Sequence, residues 1–261
     1  MKRFPAWSWL WFGIGIAYFF LPLISTVEFS LRMIKGRYTL EAYRQAFADP
    51  RFYQSFTYSL LWAALTIVFS LLLVVPTAYW VHLRLPRLRP YVEFVTLMPF
   101  VVPAVVLIFG LIRLYGHPPL TLTTTPAALI VGYVVLSLPY MYRAVDTGLR
   151  AVDVRTLTEA AQSLGANWIT VLKDVIFPNL RVALLSGIFL TFAIVMGEFT
   201  FAALLSWPAF GPYIEEIGAM RAYTPQAVSV MSFLITWGSI MLIQWVGRGA
   251  RGQQVQVGGA R

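Results

Sequence analysis

Six apolar runs, each near the ~20 residues that carry an α-helix across a hydrocarbon core, divide this chain. Read between charged residues and Pro/Gly breaks, they occupy about residues 9–31, 58–81, 91–115, 126–144, 182–206 and 226–247. The runs are continuous and do not alternate residue by residue, which sets a membrane β-barrel aside. Only 12% of the residues are charged, against roughly a quarter in a soluble domain. The expectation is therefore an all-α membrane protein, a single transmembrane domain over residues 1–261 with six helices. Met1-Lys2-Arg3 ahead of the first run suggests a signal peptide, but no small-x-small cleavage site follows and the run continues to about Ser30. It is read as the first membrane helix.

Six spans put both termini on one side, and the short loops that are rich in Lys and Arg are the cytoplasmic ones. Across the membrane from the termini lie Arg32, Lys35, Arg37, Arg44, Arg51, Arg113 and Arg221. The other thirteen of the twenty basic residues, among them Lys2, Arg3, Arg84, Arg89, Arg150, Lys173 and Arg261, lie on the terminal side. Both termini are expected in the cytoplasm, although the basic segment 32–57 narrows the contrast. The net charge of +9 does not point to nucleic acid, because these residues sit at the ends of apolar segments and not in a water-facing cluster. Cysteine is absent, which excludes disulfides and thiolate metal sites, and the histidines are His82 and His117.

Prolines punctuate the runs at positions 22, 76, 99, 103 and 139. Each removes a backbone donor that lipid cannot replace but a neighbouring helix or a wet cavity can. Kinked helices around a pathway are one reading; the other is the general abundance of Pro in membrane helices.

The connection between the fourth and fifth runs, residues 145–181, is too long and too regular for a turn. Thr156-Leu157-Thr158-Glu159 has the spacing of a capping box, with Thr156 as the cap and Glu159 reaching back to its amide. Leu157, Ala160, Ala161 and Leu164 then fall on one helical face, and Gly165 is placed to end the helix in a left-handed conformation. A second helix from about Asn167 to Phe177 leads to Pro178. A short helix with two alanines on its apolar face, closed by a glycine turn, lets another backbone approach closely and has the form of a docking knob.

Glu159-Ala160-Ala161, three residues, Gly165, nine residues and Val175-Ile176-Phe177-Pro178 resemble the EAA loop of type I ABC importer permeases of the MetI-like kind. The acid, both alanines, the glycine and the proline of the pattern EAA-x3-G-x9-I-x-L-P stand at the family spacing, with Val175 and Phe177 as conservative replacements. Pro99 and Pro103 are similar to a proline pair in the family's third span. Gly197-Glu198-Phe199-Thr200 and the stretch from Gly211 to Pro225 resemble permeases for polyamines, phosphonates, ferric iron and thiamine.

The resemblance implies a bacterial inner-membrane permease subunit whose EAA loop is a coupling helix seated in a groove of an ATP-binding subunit. Glu159, Ala160, Ala161, Leu164, Gly165 and Pro178 would form that joint, and Glu198, Pro99 and Pro103 would belong to the translocation pathway. It also implies the partners: a second permease subunit, identical or homologous, two ATP-binding subunits and an extracytoplasmic solute-binding protein. ATP and magnesium would be bound by the ATPase, since Lys2, Lys35 and Lys173 follow Met, Ile and Leu, and no P-loop is present here. The substrate implied is a small solute of the spermidine/putrescine type or 2-aminoethylphosphonate, with ferric iron or thiamine as alternatives.

Glu198 stands inside an apolar run, where a charge facing lipid costs about 2.5–3.5 kcal/mol, so it is expected to face the bundle interior. It either lines the path of a cationic substrate or is a structural, helix-paired carboxyl. Arg113, His117 and Arg221 fall near the external mouth, and His82 beside Arg84 at the cytoplasmic boundary. Trp7, Trp9, Trp11, Trp80 and Trp207 suit interfacial belts. A membrane-embedded enzyme lacks a catalytic motif in this sequence. A proton-coupled secondary transporter could use Glu198 but shows no inverted repeat and gives the EAA loop no role.

Overall fold

The computed structural model describes residues 6–119 and 121–251. Its helices, in chain order, are α1 (Ala6–Leu31), α2 (Glu41–Ala48), α3 (Pro50–Arg84), α4 (Arg89–Val101), α5 (Ala104–Tyr115), α6 (Pro126–Arg150) and α7 (Val154–Ser163). They continue as α8 (Trp168–Thr170), a π-helical turn (Val171–Ile176), α9 (Phe177–Asn179), α10 (Arg181–Gly197), α11 (Thr200–Leu204), α12 (Phe210–Met220) and α13 (Thr224–Arg251). An isolated bridge between Ile34 and Arg37 is the extent of β pairing among the described residues. Lys2, Arg3 and Arg261, used above for orientation, lie outside them.

Among the described residues, three helices are long and apolar enough to cross a membrane on their own: Trp9–Leu31, Pro50–Arg84 and Pro126–Arg150. Two bent pairs bring the total to as many as five: Pro86–Val101 with Ala104–Tyr115, and Trp168–Asn179 with Arg181–Gly197. The sixth apolar run lies in α13.

Two expected spans are thereby corrected. Residues 91–115 are not one straight helix: the axis turns by 104° between α4 and α5, with Val102 extended and Pro103 unable to donate to the preceding turn. The run 182–206 is interrupted at Glu198, whose extended backbone (ψ 128) ends α10. The fourth helix also continues to Arg150, so the loop is shorter than 145–181.

The chain divides into two compact units. Residues 1–54 with 213–236 form one, and residues 55–212 with 237–261 form the other. In the first, Phe29 stacks on Tyr223 with ring centroids 4.7 Å apart, and the buried Ser30 hydroxyl lies 2.8 Å from that of Tyr43. Arg51 pairs there with both Asp49 and Glu216.

The second unit holds two apolar cores. One gathers Val74, Ala78, Tyr79, Met141, Val145 and Leu149 with Val154, Ala161, Val171 and Ile176 of the loop. The other surrounds Trp62, Ile108, Leu129, Tyr133 and Phe201. α6 and α10 meet closely because small residues face each other: a Cβ on Gly148 would stand 2.6 Å from Ala183 Cβ. Ser70 and Ser137 join α3 to α6 at 2.9 Å; the Ser137 hydroxyl donates to Val134 O, so Ser70 is the donor between them.

Candidate functional site

α7 begins because Asp153 accepts from the Thr156 amide (3.1 Å) and the Thr156 hydroxyl (2.7 Å). These bonds, the hydroxyl first, hold the Asp153 carboxyl below its usual range. The expected capping box is therefore wrong: Asp153 is the cap, three residues before Thr156, and Glu159 does not reach back. Glu159 accepts instead from Arg155 Nε at 2.8 Å on the exposed surface.

Packing against the core decides which side of α7 faces inward. Val154, Thr158 and Ala161 are buried, with Leu157 packed beside them, whereas Ala160 is exposed and Leu164 is 89% exposed. The single face expected for Leu157, Ala160, Ala161 and Leu164 is thus divided. Leu157 and Ala161 hold α7 to its own core, while Glu159, Ala160, Ser163 and Leu164 form the outer face.

The helix closes as expected at Gly165, whose φ is +83°. The Gly165 amide donates to Gln162 O (2.9 Å) and the Ala166 amide to Ala161 O (3.0 Å), the paired bonds of a Schellman turn. Asn167 then caps the next turn through the Thr170 amide at 2.9 Å. The second loop helix is not regular: Val171–Ile176 is π-helical, and helical backbone continues past Pro178 to Asn179. After Leu180 the chain turns by 81° into α10. Ile169, 76% exposed, extends the outward apolar surface begun by Leu164.

Polar and aromatic contacts fasten this loop to α3. Thr158 donates its hydroxyl proton to Val154 O (2.7 Å), so Tyr79 is the donor in the buried 3.0 Å bond between their hydroxyls. Trp168 packs edge-on against Trp80 at 5.2 Å, with the Arg84 guanidinium 5.5 Å above its ring.

Beside this loop lies a charged cluster that sequence reasoning missed. Asp146, 5% exposed, is surrounded by His82 Nε2 at 2.8 Å, Arg89 Nε and Nη2 at 3.1 and 3.0 Å, and Arg150 Nη2 at 2.7 Å. His82 comes from the last turn of α3, Arg89 from the first turn of α4, and Arg150 from the last turn of α6. A cavity of about 270 Å³ borders this cluster, lined also by Glu93, Tyr142 and Arg143. The i,i+4 spacing of Asp146 and Arg150 was the only local hint; the other partners are distant in sequence.

Glu198 sits in the gap between α10 and α11. Its carboxylate accepts from the Thr200 amide (2.8 Å) and the Phe201 amide (2.9 Å), capping α11. Gly211 comes so close that a Cβ there would lie 2.7 Å from Glu198 O, and Gly132 gives the Phe201 ring its place. α11 packs on α5, which follows Pro103, so Glu198 and Pro103 border neighbouring elements. Pro99 lies within α4, and the residues expected to form the coupling joint make a separate group on α7 to α9.

Residues 77–250 match the family model for binding-protein-dependent transport system inner membrane components. The spermidine/putrescine transport system permease protein PotB of Escherichia coli K12 is 26% identical, over 89% of this chain and 93% of its own length. Two solved structures show a similar fold. A bacterial alginate ABC transporter, in complex with an alginate pentasaccharide-bound periplasmic protein, aligns over 93% of each chain with a TM-score of 0.68 at 14% identity. The MetNI methionine ABC transporter in an inward-facing form covers 74% of this chain and 92% of its own, with a TM-score of 0.60 at 17% identity.

Proposed function

Because the chain belongs to the family of binding-protein-dependent transport system inner membrane components, we propose that, as the permease component of an ABC importer, it carries a polyamine of the spermidine/putrescine class. The observation that supports this substrate is the similarity to PotB, which runs along nearly the whole of both chains. Six spans with cytoplasmic termini, the thirteen basic residues on the terminal side, and a second permease completing the pathway belong to the same reading.

The drive reaches the chain through α7. Its inner face, Val154, Leu157, Thr158 and Ala161, is fixed in this chain's own core, so a push on the outer face is delivered to α3 and α6 without first deforming the loop. The outer face has what a groove in an ATP-binding subunit needs: Ala160 for close approach, Leu164 and Ile169 for apolar burial, and the Glu159 carboxylate for a cation. Pro178 marks the loop's return to the membrane. ATP and magnesium are bound by that partner, and a solute-binding protein delivers the substrate outside.

Glu198 uses both oxygens on backbone amides, which supports a role in shaping the α10–α11 break beside Pro103. Its charge still makes the break attractive to a cation, and Pro99 and Pro103 bend the helix on the neighbouring side. If Glu198→Gln leaves transport of every accumulated substrate at the wild-type level, the pathway role is dropped.

The joint is tested by co-purifying the permease with its ATPase, comparing wild type with Gly165→Asp. Loss of the ATPase from a folded variant is expected. Undiminished binding, or no ATPase bound by wild type, would refute the assignment of α7.

A further inference from the structure

We propose that Asp146 is a positioning residue for coupling: with His82, Arg89 and Arg150 it locks the root of α7 to α3 and α4, so that these helices move as one body. The inference rests on α7 as the coupling helix, and it concerns what happens to the push after it arrives.

Covalently, α7 is joined to α6 by a short link, Ala151 to Asp153, and α6 ends at Arg150. A motion of α7 therefore reaches α6 directly but reaches α3 and α4 only through side chains. To α3 the hydrogen-bonded links are Tyr79 to Thr158 and His82 to Asp146, beside the apolar and aromatic packing already described. To α4 the polar links are a loose, exposed Arg143–Glu93 pair at 3.9 Å and the fork of Arg89 on both Asp146 oxygens, which fixes direction as well as distance. Arg150 closes the arrangement from one turn further along α6.

Burial gives this junction its grip. A carboxylate this enclosed is held by its partners, because separating them exposes unpaired charge to a poorly hydrated site. The same geometry at an open surface would exchange freely with water and transmit little. α4 ends at the 104° break before α5, so an α4 that follows α6 carries the break with it. The junction thus connects the loop to the region of Pro99 and Pro103.

The absence of native cysteine permits spin labels at Ala151→Cys, exposed at the root of α7 and away from its outer face, and at Tyr91→Cys on exposed α4. In the wild-type background the interlabel distance is expected to be narrowly distributed and unchanged through the ATP cycle. Asp146→Asn is expected to broaden it, and to lower ATPase stimulation by the loaded binding protein roughly tenfold while the ATPase still co-purifies. Asp146→Glu, which retains the carboxylate, is expected to recover most of the stimulation. If Asp146→Asn does not accumulate, Arg89→Gln decides in its place, with an expected loss of about threefold. A distance that changes through the wild-type cycle, or a variant as narrow and as well stimulated as wild type, overturns the proposal. Failure of the wild-type permease to bind any ATPase overturns the coupling role of α7 instead, and the distance measurement on the permease alone still judges the junction.

Discussion

Gly165→Ala isolates the backbone contribution of the α7 turn. An L-residue at φ +83° pays about 1–2 kcal/mol for the left-handed conformation, and the loss of glycine's freedom in the unfolded chain returns about 0.4–1 kcal/mol. No atom lies within 4 Å of the added Cβ, so there is no steric penalty to include. The net cost is about 1 kcal/mol, or roughly a fivefold increase in the open fraction of the turn. Hydrogen exchange on the detergent-solubilised permease should then be about fivefold faster at Leu164, Gly165 and Ala166, whose amides close the turn, and unchanged in the buried centre of α6. Gly165→Asn should recover much of the protection, because asparagine tolerates this region better than alanine. Exchange in Gly165→Ala equal to wild type, or accelerated to the same degree throughout α6, would show that the turn does not act as a local Schellman cap.

Gly132→Ala should lower the thermal midpoint, since its Cβ would fall 2.2 Å from Cε1 of the fully buried Phe201 and overpacking of this kind costs about 1–3 kcal/mol; an unchanged midpoint would mean the ring is free to move aside. Ser206 closes α11 at φ +58° with the Ser206 and Trp207 amides bonded to Ala203 O and Ala202 O, so Ser206→Gly should raise the midpoint by relieving about 1 kcal/mol; a lower one would assign the serine hydroxyl a role of its own. The depressed Asp153 carboxyl stabilises α7 at every pH above its ordinary value of 3.8, and that contribution is lost only as pH falls through the lower folded value. Exchange at Thr156, corrected for intrinsic rate, should therefore stay constant from neutral pH to about 4. Acceleration already near pH 6 would count against the cap.

The apolar runs at 9–31, 58–81 and 126–144 fall within α1, α3 and α6 but miss the ends of α3 and α6, because hydropathy marks the stretch suited to lipid and not where helical backbone stops. Gly165 was legible for an equally local reason, the φ that only glycine adopts easily. The error at Thr156 shows the limit of spacing: Thr156 and Glu159 fit a capping box, but Asp153 takes the Thr156 amide that Glu159 would have accepted from, and the Glu159 carboxylate pairs with Arg155 instead. Which side of α7 meets the core is not a local property either: Ala161 is buried and Ala160 faces out, a difference of one residue that helical spacing does not decide. Glu198 was visible as a charge in an apolar run, yet its partners are backbone amides, which no side-chain pattern reveals. The Asp146 junction was invisible because His82 and Arg89 are far from it in sequence, and each has a sufficient local explanation as a basic residue at a membrane boundary.

The outer face of α7 has a consequence for the life of the chain before it is assembled. Leu164 at 89% exposure and Ile169 at 76% present the kind of apolar surface by which chaperones and proteases distinguish incomplete proteins. A subunit made in excess of its partners would carry that mark permanently, and one that is assembled would lose it. The two residues that favour docking would thus also set the abundance of the permease by the supply of whatever covers them.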